Sequence, residues 1–294
     1  MIKPRIVGLW LLGLCAAGFL SLLLGGQSNA TARASLMLEP DGHYTTPVMI
    51  DGAGPFPFIV DTGAQRSVIS RDLADRLSLK MMPGASVIAT SGTGAGGITF
   101  LKTYSSALFR RTLEMMVVLP PGGIVKDGVM GMELFRSRRL EIDFGDGTVS
   151  NAASQPTPHG FAAVPVSIVQ GTFLVADVVV DGVHAKAMID TGARRTVGNM
   201  LLRKALGLAD AALADADPVR GATIHQTRAV KAPLGMLILG EHKFAHPVVT
   251  FSDISVLQAL DLNDQPALVV GLDVLGTLKA VAIDYPRSEL QVKP

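Results

Sequence analysis

One motif occurs twice in this chain. Val60-Asp61-Thr62-Gly63-Ala64-Gln65-Arg66-Ser67-Val68 returns 129 residues later as Ile189-Asp190-Thr191-Gly192-Ala193-Arg194-Arg195-Thr196-Val197. The register holds through Leu73 and Leu202, Leu77 and Leu206, and Leu79 and Leu208. Nine of the 20 positions from 60 to 79 are identical in the second copy, where average residue usage gives about one or two by chance. Such a duplication constrains the fold more than composition does, because both copies must adopt related structures.

The likeness extends beyond the motif. Val48-Met49-Ile50-Asp51-Gly52 parallels Val179-Val180-Asp181-Gly182, in each case a strand running into a turn. Downstream, Val129-Met130-Gly131-Met132-Glu133 parallels Val269-Val270-Gly271-Leu272-Asp273. Each copy then ends in a strand, Leu140 to Phe144 or Val281 to Tyr285. Short apolar runs rich in Val, Ile and Thr, bounded by Gly, Pro or Asp, predict lobes that are mostly β. One helix is predicted per lobe. Ser70 can cap Arg71 to Leu77, and Asn199 the equivalent segment, which Gly207 closes. The organisation expected is therefore a leader over 1–34, lobe 1 over 35–150, a polar Pro-bearing linker over 151–160, and lobe 2 over 161–294.

Each motif Asp follows a buried-strand signature, Phe58-Ile59-Val60 or Ala187-Met188-Ile189. A carboxylate at such a strand end is partly desolvated, which raises its pKa. Gly63 and Gly192 permit the tight turn that presents it. Thr62 and Thr191 can hydrogen-bond across to the partner loop and fix the two carboxylates relative to each other. If the lobes face one another, Asp61 and Asp190 meet, and like charges at contact cannot both ionise. A water between them would be activated by the ionised member, while the protonated member polarises a peptide carbonyl.

In these residues the chain resembles the aspartic peptidases, specifically the bacterial retropepsin-like family, as two fused units. The resemblance rests on Asp-Thr-Gly-Ala at 61–64 and 190–193 and on Val129-Met130-Gly131 and Val269-Val270-Gly271. It implies two retropepsin- or pepsin-like β-barrel lobes, a peptide cleft between them, and hydrolysis of polypeptides bound in extended conformation. Asp61 and Asp190 would be the catalytic pair, with Thr62, Gly63, Ala64, Thr191, Gly192 and Ala193 supporting them. Ala64 and Ala193 stand where pepsin-like enzymes carry a hydroxyl donor, so the pair should hold its proton more tightly and work toward neutral pH. The resemblance also implies a flap. Gly92, Gly94, Gly96 and Gly97 make the lobe 1 stretch a candidate, whereas Arg220 to His225, its lobe 2 counterpart, lacks that glycine density.

Charge and cysteine usage narrow the remaining classes. Lys plus Arg (26) nearly balance Asp plus Glu (25), so no basic field exists to hold nucleic acid. A single cysteine excludes a disulfide framework or a thiolate zinc site, and no cofactor is called for. His242 and His246 are four apart, but their Gly- and Pro-flanked surroundings read as a hairpin and not a metal-binding helix. Arg66 and Arg195 recur at one repeat position and read as solvated or as partners for an acid in the other copy. Glu133 and Asp273 read as members of a structural ion pair or as turn caps. Lys3 and Arg5 precede an uncharged run over residues 6–24, followed by small residues and two A-x-A sites. That pattern predicts a secretory signal or an uncleaved tether to the membrane, with the body outside the cytoplasm. Cleavage after Ala32 would remove the only Trp and Cys and leave 24 basic against 25 acidic residues. Both lobes would then stay folded by packing alone. With both carboxylates in one chain, the protein is expected to work as a monomer; a peptide-binding module without turnover is the alternative.

Overall fold

The computed structural model describes residues 31–89, 92–121, 126–210, 213–220 and 226–294. The apolar leader and the segment 221–225 lie outside them. Among the described residues no helix is long and apolar enough to cross a membrane.

The chain folds as two β-rich lobes standing on a shared six-stranded antiparallel sheet. Each lobe contributes three strands: Ala32–Ser35, Thr148–Ala152 and Arg139–Asp143 from lobe 1, and Ala162–Pro165, Glu289–Lys293 and Ala280–Asp284 from lobe 2. The seam is the pairing of the two copy-ending strands, with Arg139 opposite Asp284 and Asp143 opposite Ala280. Leu140, Ile142, Val281 and Ile283 are buried there. At this seam Arg139 is buried, but its guanidinium is held by Gln291 at 2.8 Å, by Glu141 at 2.6 Å, and by the face of Phe161. Two expected boundaries move. Ala32–Ser35 is already a strand of this sheet, paired with Thr148–Ala152, so the folded body begins before the leader's expected end at 34. That same partner strand extends into the first two linker residues.

Within each lobe the repeat yields one topology. A hairpin, Tyr44–Ile50 with Ala53–Val60 or Phe173–Val180 with Val183–Ile189, carries the motif at its exit. Its turn is Asp51-Gly52 or Asp181-Gly182, with positive φ at both residues (49° and 83°; 45° and 83°). This is the conformation that Asp-Gly supplies to a two-residue hairpin. The motif-bearing strand then pairs in parallel with Gly128–Met130 or Ala267–Val270, the start of each apolar-apolar-Gly segment. These strands are almost wholly buried, and Val60, Met130, Ile189 and Val270 belong to the main core.

The two predicted caps form. Ser70 accepts from Leu73 N–H at 3.1 Å ahead of helix Arg71–Arg76, and Asn199 accepts from Leu202 N–H at 2.8 Å ahead of helix Met200–Ala205. One helix per lobe is too few, however. Lobe 2 has two more, Ser255–Ala259 and Leu272–Leu275, and neither has a side-chain cap that would mark its start.

Candidate active site

The parallel pairing ends both motif strands at the same depth and turns them toward each other. Thr62 and Thr191 lock the turns together through four reciprocal hydrogen bonds. Thr62 N–H donates to Thr191 Oγ1 (3.1 Å), and Thr191 N–H donates to Thr62 Oγ1 (3.0 Å). Each hydroxyl in turn donates across the seam, Thr62 to Ile189 O (2.9 Å) and Thr191 to Val60 O (2.7 Å). Both threonines are buried, so every polar atom in this knot needs its partner in the other lobe.

The knot brings Asp61 and Asp190 together. Gly63 presses on the Asp190 carboxyl and Gly192 on that of Asp61, so closely that a Cβ at either glycine would collide with the opposite carboxylate. Asp61 Oδ1 accepts from Gly63 N–H at 2.7 Å. Asp190 Oδ1 accepts from Gly192 at 2.8 Å and Ala193 at 3.1 Å. Burial, then the Asp190 charge, holds the Asp61 carboxyl well above the usual carboxylate range. Burial also raises Asp190, but the bond from Asp61 and the two backbone donors oppose the rise. The two carboxyls therefore hold one proton in common. Ala64 and Ala193 place only methyl groups where a hydroxyl would add a donor.

Behind the motifs, Glu133 and Asp273 act as turn caps, one of the two structural roles expected of them. Glu133 Oε1 accepts from Ser67 N–H (2.8 Å), and Asp273 accepts from Thr196 N–H (2.9 Å) and its hydroxyl (2.7 Å). Ser67 and Thr196 hydroxyls complete the brace by accepting from Gly131 and Gly271 N–H at 3.0 and 3.1 Å. Arg195 pairs with Asp217 of its own lobe at 3.3 Å, so a partner in the other copy is not what it finds. His242–Ala245 is a strand of a hairpin with Met236–Leu239, as read from its flanks.

The carboxylates lie at the floor of a cleft of about 870 Å³ between the lobes. Its walls are largely apolar near the dyad, with Val68, Val129, Val197 and Leu260 among them. Strands Met82–Ala89 and Gly92–Ser105 form the lobe 1 hairpin over it, and Ser86 and Val87 face the space. This arm also contacts the short helix Ser255–Ala259 of lobe 2, which makes it a roof across the cleft. The four candidate flap glycines occupy two places in it. Gly92 and Gly94 lie toward the tip, opposite Ala89 and Val87. Gly96 and Gly97 are at the base, where a Cβ on Gly96 would come 2.8 Å from the Val118 carbonyl. Lobe 2 has its own hairpin, Ala214–Arg220 with Gln226–Pro233, and Asp217, Pro218 and Val219 line the cleft although neither strand contains a glycine.

Three contacts at the cleft's edges escape sequence reasoning. Gln65 donates across the lobes to Gln170 O (3.0 Å), and the equivalent Arg194 donates to Asp41 O (3.1 Å). Beside the second, His43 is buried and lines the cleft. The available signal was the repeat itself, since Gly42-His43-Tyr44 aligns with Gly171-Thr172-Phe173 at the same 129-residue offset.

Two interlocked Asp-Thr-Gly turns under a β-hairpin roof define a bilobal aspartic-peptidase fold. Residues 46–134 and 176–274 each match the family model described as aspartyl protease. Together these spans cover more than half of the chain, which therefore belongs to the aspartyl protease family, as a protein with two repeats. Comparison with curated proteins finds no match.

Proposed function

We propose that this chain is an aspartic endopeptidase that cleaves extended polypeptides outside the cytoplasm, with Asp61 and Asp190 as its catalytic pair. The observation carrying the reading is the reciprocal seating of Gly63 on Asp190 and Gly192 on Asp61, which leaves two buried carboxyls sharing one proton at the cleft floor. A purely structural pair of buried acids would be costly to keep, and a hydrophobic replacement would serve packing better.

The chemistry follows from two acids that share one proton. The ionised member, which we assign to Asp190, is the base that takes a proton from the water held between the carboxyls. Asp61 gives its proton to the substrate carbonyl oxygen as the water oxygen bonds to the carbonyl carbon. The resulting diol returns a proton to Asp61 as its C–N bond breaks, and Asp190 passes its proton to the leaving amine. No covalent enzyme intermediate and no metal is required. Apolar walls exclude water and suit hydrophobic side chains beside the scissile bond. The roof hairpin supplies strand-edge groups for an extended backbone. The charged-then-apolar N-terminal sequence supports export, either as a cleaved signal or as a tether over residues 6–24.

The test is incubation of purified protein with an unfolded polypeptide from acid to neutral pH, beside Asp61→Asn and Asp190→Asn. Cleavage by wild type and a loss of at least about 10³-fold in either variant is expected. Equal cleavage by all three proteins would overturn the assignment. Peptide binding without cleavage by any would identify a binding module.

A further inference from the structure

The two carboxylates sit in nearly identical turns, yet one of them has a titratable neighbour that the other lacks. His43 stands just before strand Tyr44–Ile50 and lines the cleft with Gly192 and Asp190, on a turn held to the lobe 2 motif by the Arg194 bond to Asp41 O at 3.1 Å. At the matching place in lobe 2 stands Thr172, also buried and incapable of carrying charge. The His43 side chain is only 8% exposed, and its Nδ1 is 3.3 Å from Asp41 Oδ1 without making a hydrogen bond. It is a buried ring with an unsatisfied nitrogen at the edge of the site, an arrangement that costs stability unless it serves another purpose.

We propose that His43 is a positioning residue for the dyad: once protonated, it favours the charge on Asp190 and so opposes uptake of a second proton by the pair. This rests on the peptidase reading of the site, but the coupling it requires exists whether or not turnover occurs.

The groups around the ring explain why one histidine suffices. Asp41, on its own turn, draws a proton toward it, and Asp41 is itself shared with Lys126 at 3.4 Å. Arg194, packed on Gly42 from the lobe 2 motif, repels that proton. Burial is the largest influence and lowers the His43 pKa, so the ring is neutral near pH 7 and gains charge in acid. Asp190 in turn feels His43, which favours its ionised form. Acid is where the dyad risks taking up a second proton and losing its base. A cation arriving there opposes that uptake, and it acts on Asp190 because the ring lies against that motif's loop. The device therefore extends the acid side of the working range.

The experiment is a histidine NMR titration of the full chain, with His43 assigned by its absence in His43→Gln. Linkage makes the coupling reciprocal, so removing the Asp190 charge must weaken proton binding by His43. The His43 pKa should fall by about half a unit or more in Asp190→Asn and stay near the wild-type value in Asp61→Asn. Equal values in all three proteins, or equal falls in both variants, would overturn the proposal even if cleavage is observed. Where cleavage is measurable, the acid limb of the pH–rate profile should move to higher pH in His43→Gln, with the plateau rate changed by less than about threefold. An unmoved acid limb with a large plateau loss would mean a merely structural histidine. Absence of cleavage by wild type with the selective NMR shift retained would instead remove the peptidase reading and leave the coupling standing.

Discussion

Lobe 1 and lobe 2 descend from one repeat, yet they are not equally regular. In lobe 1, Gly92–Ser105 and Arg110–Val118 are long unbroken strands, and Met49–Ile50 pairs with Tyr104–Ser105 to close a ring of six strands. In lobe 2 each of these long strands is split, into Gln226–Pro233 and Met236–Leu239 and into His242–Ala245 and Val248–Phe251. Pro233 and Pro247 have no N–H to continue a ladder, and His246 takes a positive φ of 53° at the second break. Asp181 repairs the first break by accepting from Gly235 and Met236 N–H at 2.9 and 2.6 Å, where Asp51 in lobe 1 accepts from Thr103 at 2.7 Å. Divergence is thus tolerated on the outer sheet. At the interlocked motif turns, where Thr62 and Thr191 satisfy each other's polar atoms, the two copies keep the same Asp-Thr-Gly-Ala residues.

That contrast gives a graded set of outcomes. The largest concerns the seam. Gly63→Ala and Gly192→Ala both force a Cβ into the opposing carboxylate, so each should abolish cleavage and cost about 1–3 kcal/mol of stability. Activity and thermal melting of both variants check this; a harmless substitution in either lobe would break the claimed reciprocity.

Next comes the stability cost of the dyad. Asp61, whose pKa is raised by burial and by Asp190, holds its proton when the unfolded chain has already lost it. Its contribution is therefore fully present in acid and lost as pH rises from the ordinary carboxylate range, about 4, through the raised folded value. Asp61→Asn should melt higher than wild type near pH 7 by a few °C, about 2–4 °C per kcal/mol, with the advantage shrinking in acid. Asp190→Asn should also gain, because burial raises Asp190 too, while the asparagine Oδ1 can still accept from Gly192 and Ala193. A pH-independent difference would contradict the burial argument.

The smallest difference lies in the helix caps. Ser70 accepts one bond from its helix, whereas the Asn199 side chain also accepts from Ala267 N–H (3.2 Å) and donates to Gln265 O (2.8 Å). Ser70→Ala should cost about 1 kcal/mol, and Asn199→Ala about 2–3 kcal/mol, read by denaturant unfolding. Equal costs would show that Asn199 is no more than a cap.

Local chemistry was readable in the sequence, and distant pairing was not. The Asp-Gly turns and the caps at Ser70 and Asn199 follow from residue types at fixed spacing, whereas the meeting of the two motifs was conditional on lobes that face each other. The pairing of Arg139–Asp143 with Ala280–Asp284 has no local signature, because any two apolar strands could make it. Helices Ser255–Ala259 and Leu272–Leu275 are too short for periodicity, and they begin at Ile254 and Gly271, which offer no side-chain acceptor. His43 was equally hidden. A lone histidine beside a glycine has no pattern until the fold sets it against Gly192.

The central claim is that both halves of the site come from one chain. Mixing Asp61→Asn with Asp190→Asn tests this most directly. A site formed within each chain leaves the mixture as inactive as either variant, while wild type at the same concentration cleaves. Recovery of about a quarter of wild-type activity would mean that lobes pair between chains, as random pairing of subunits requires.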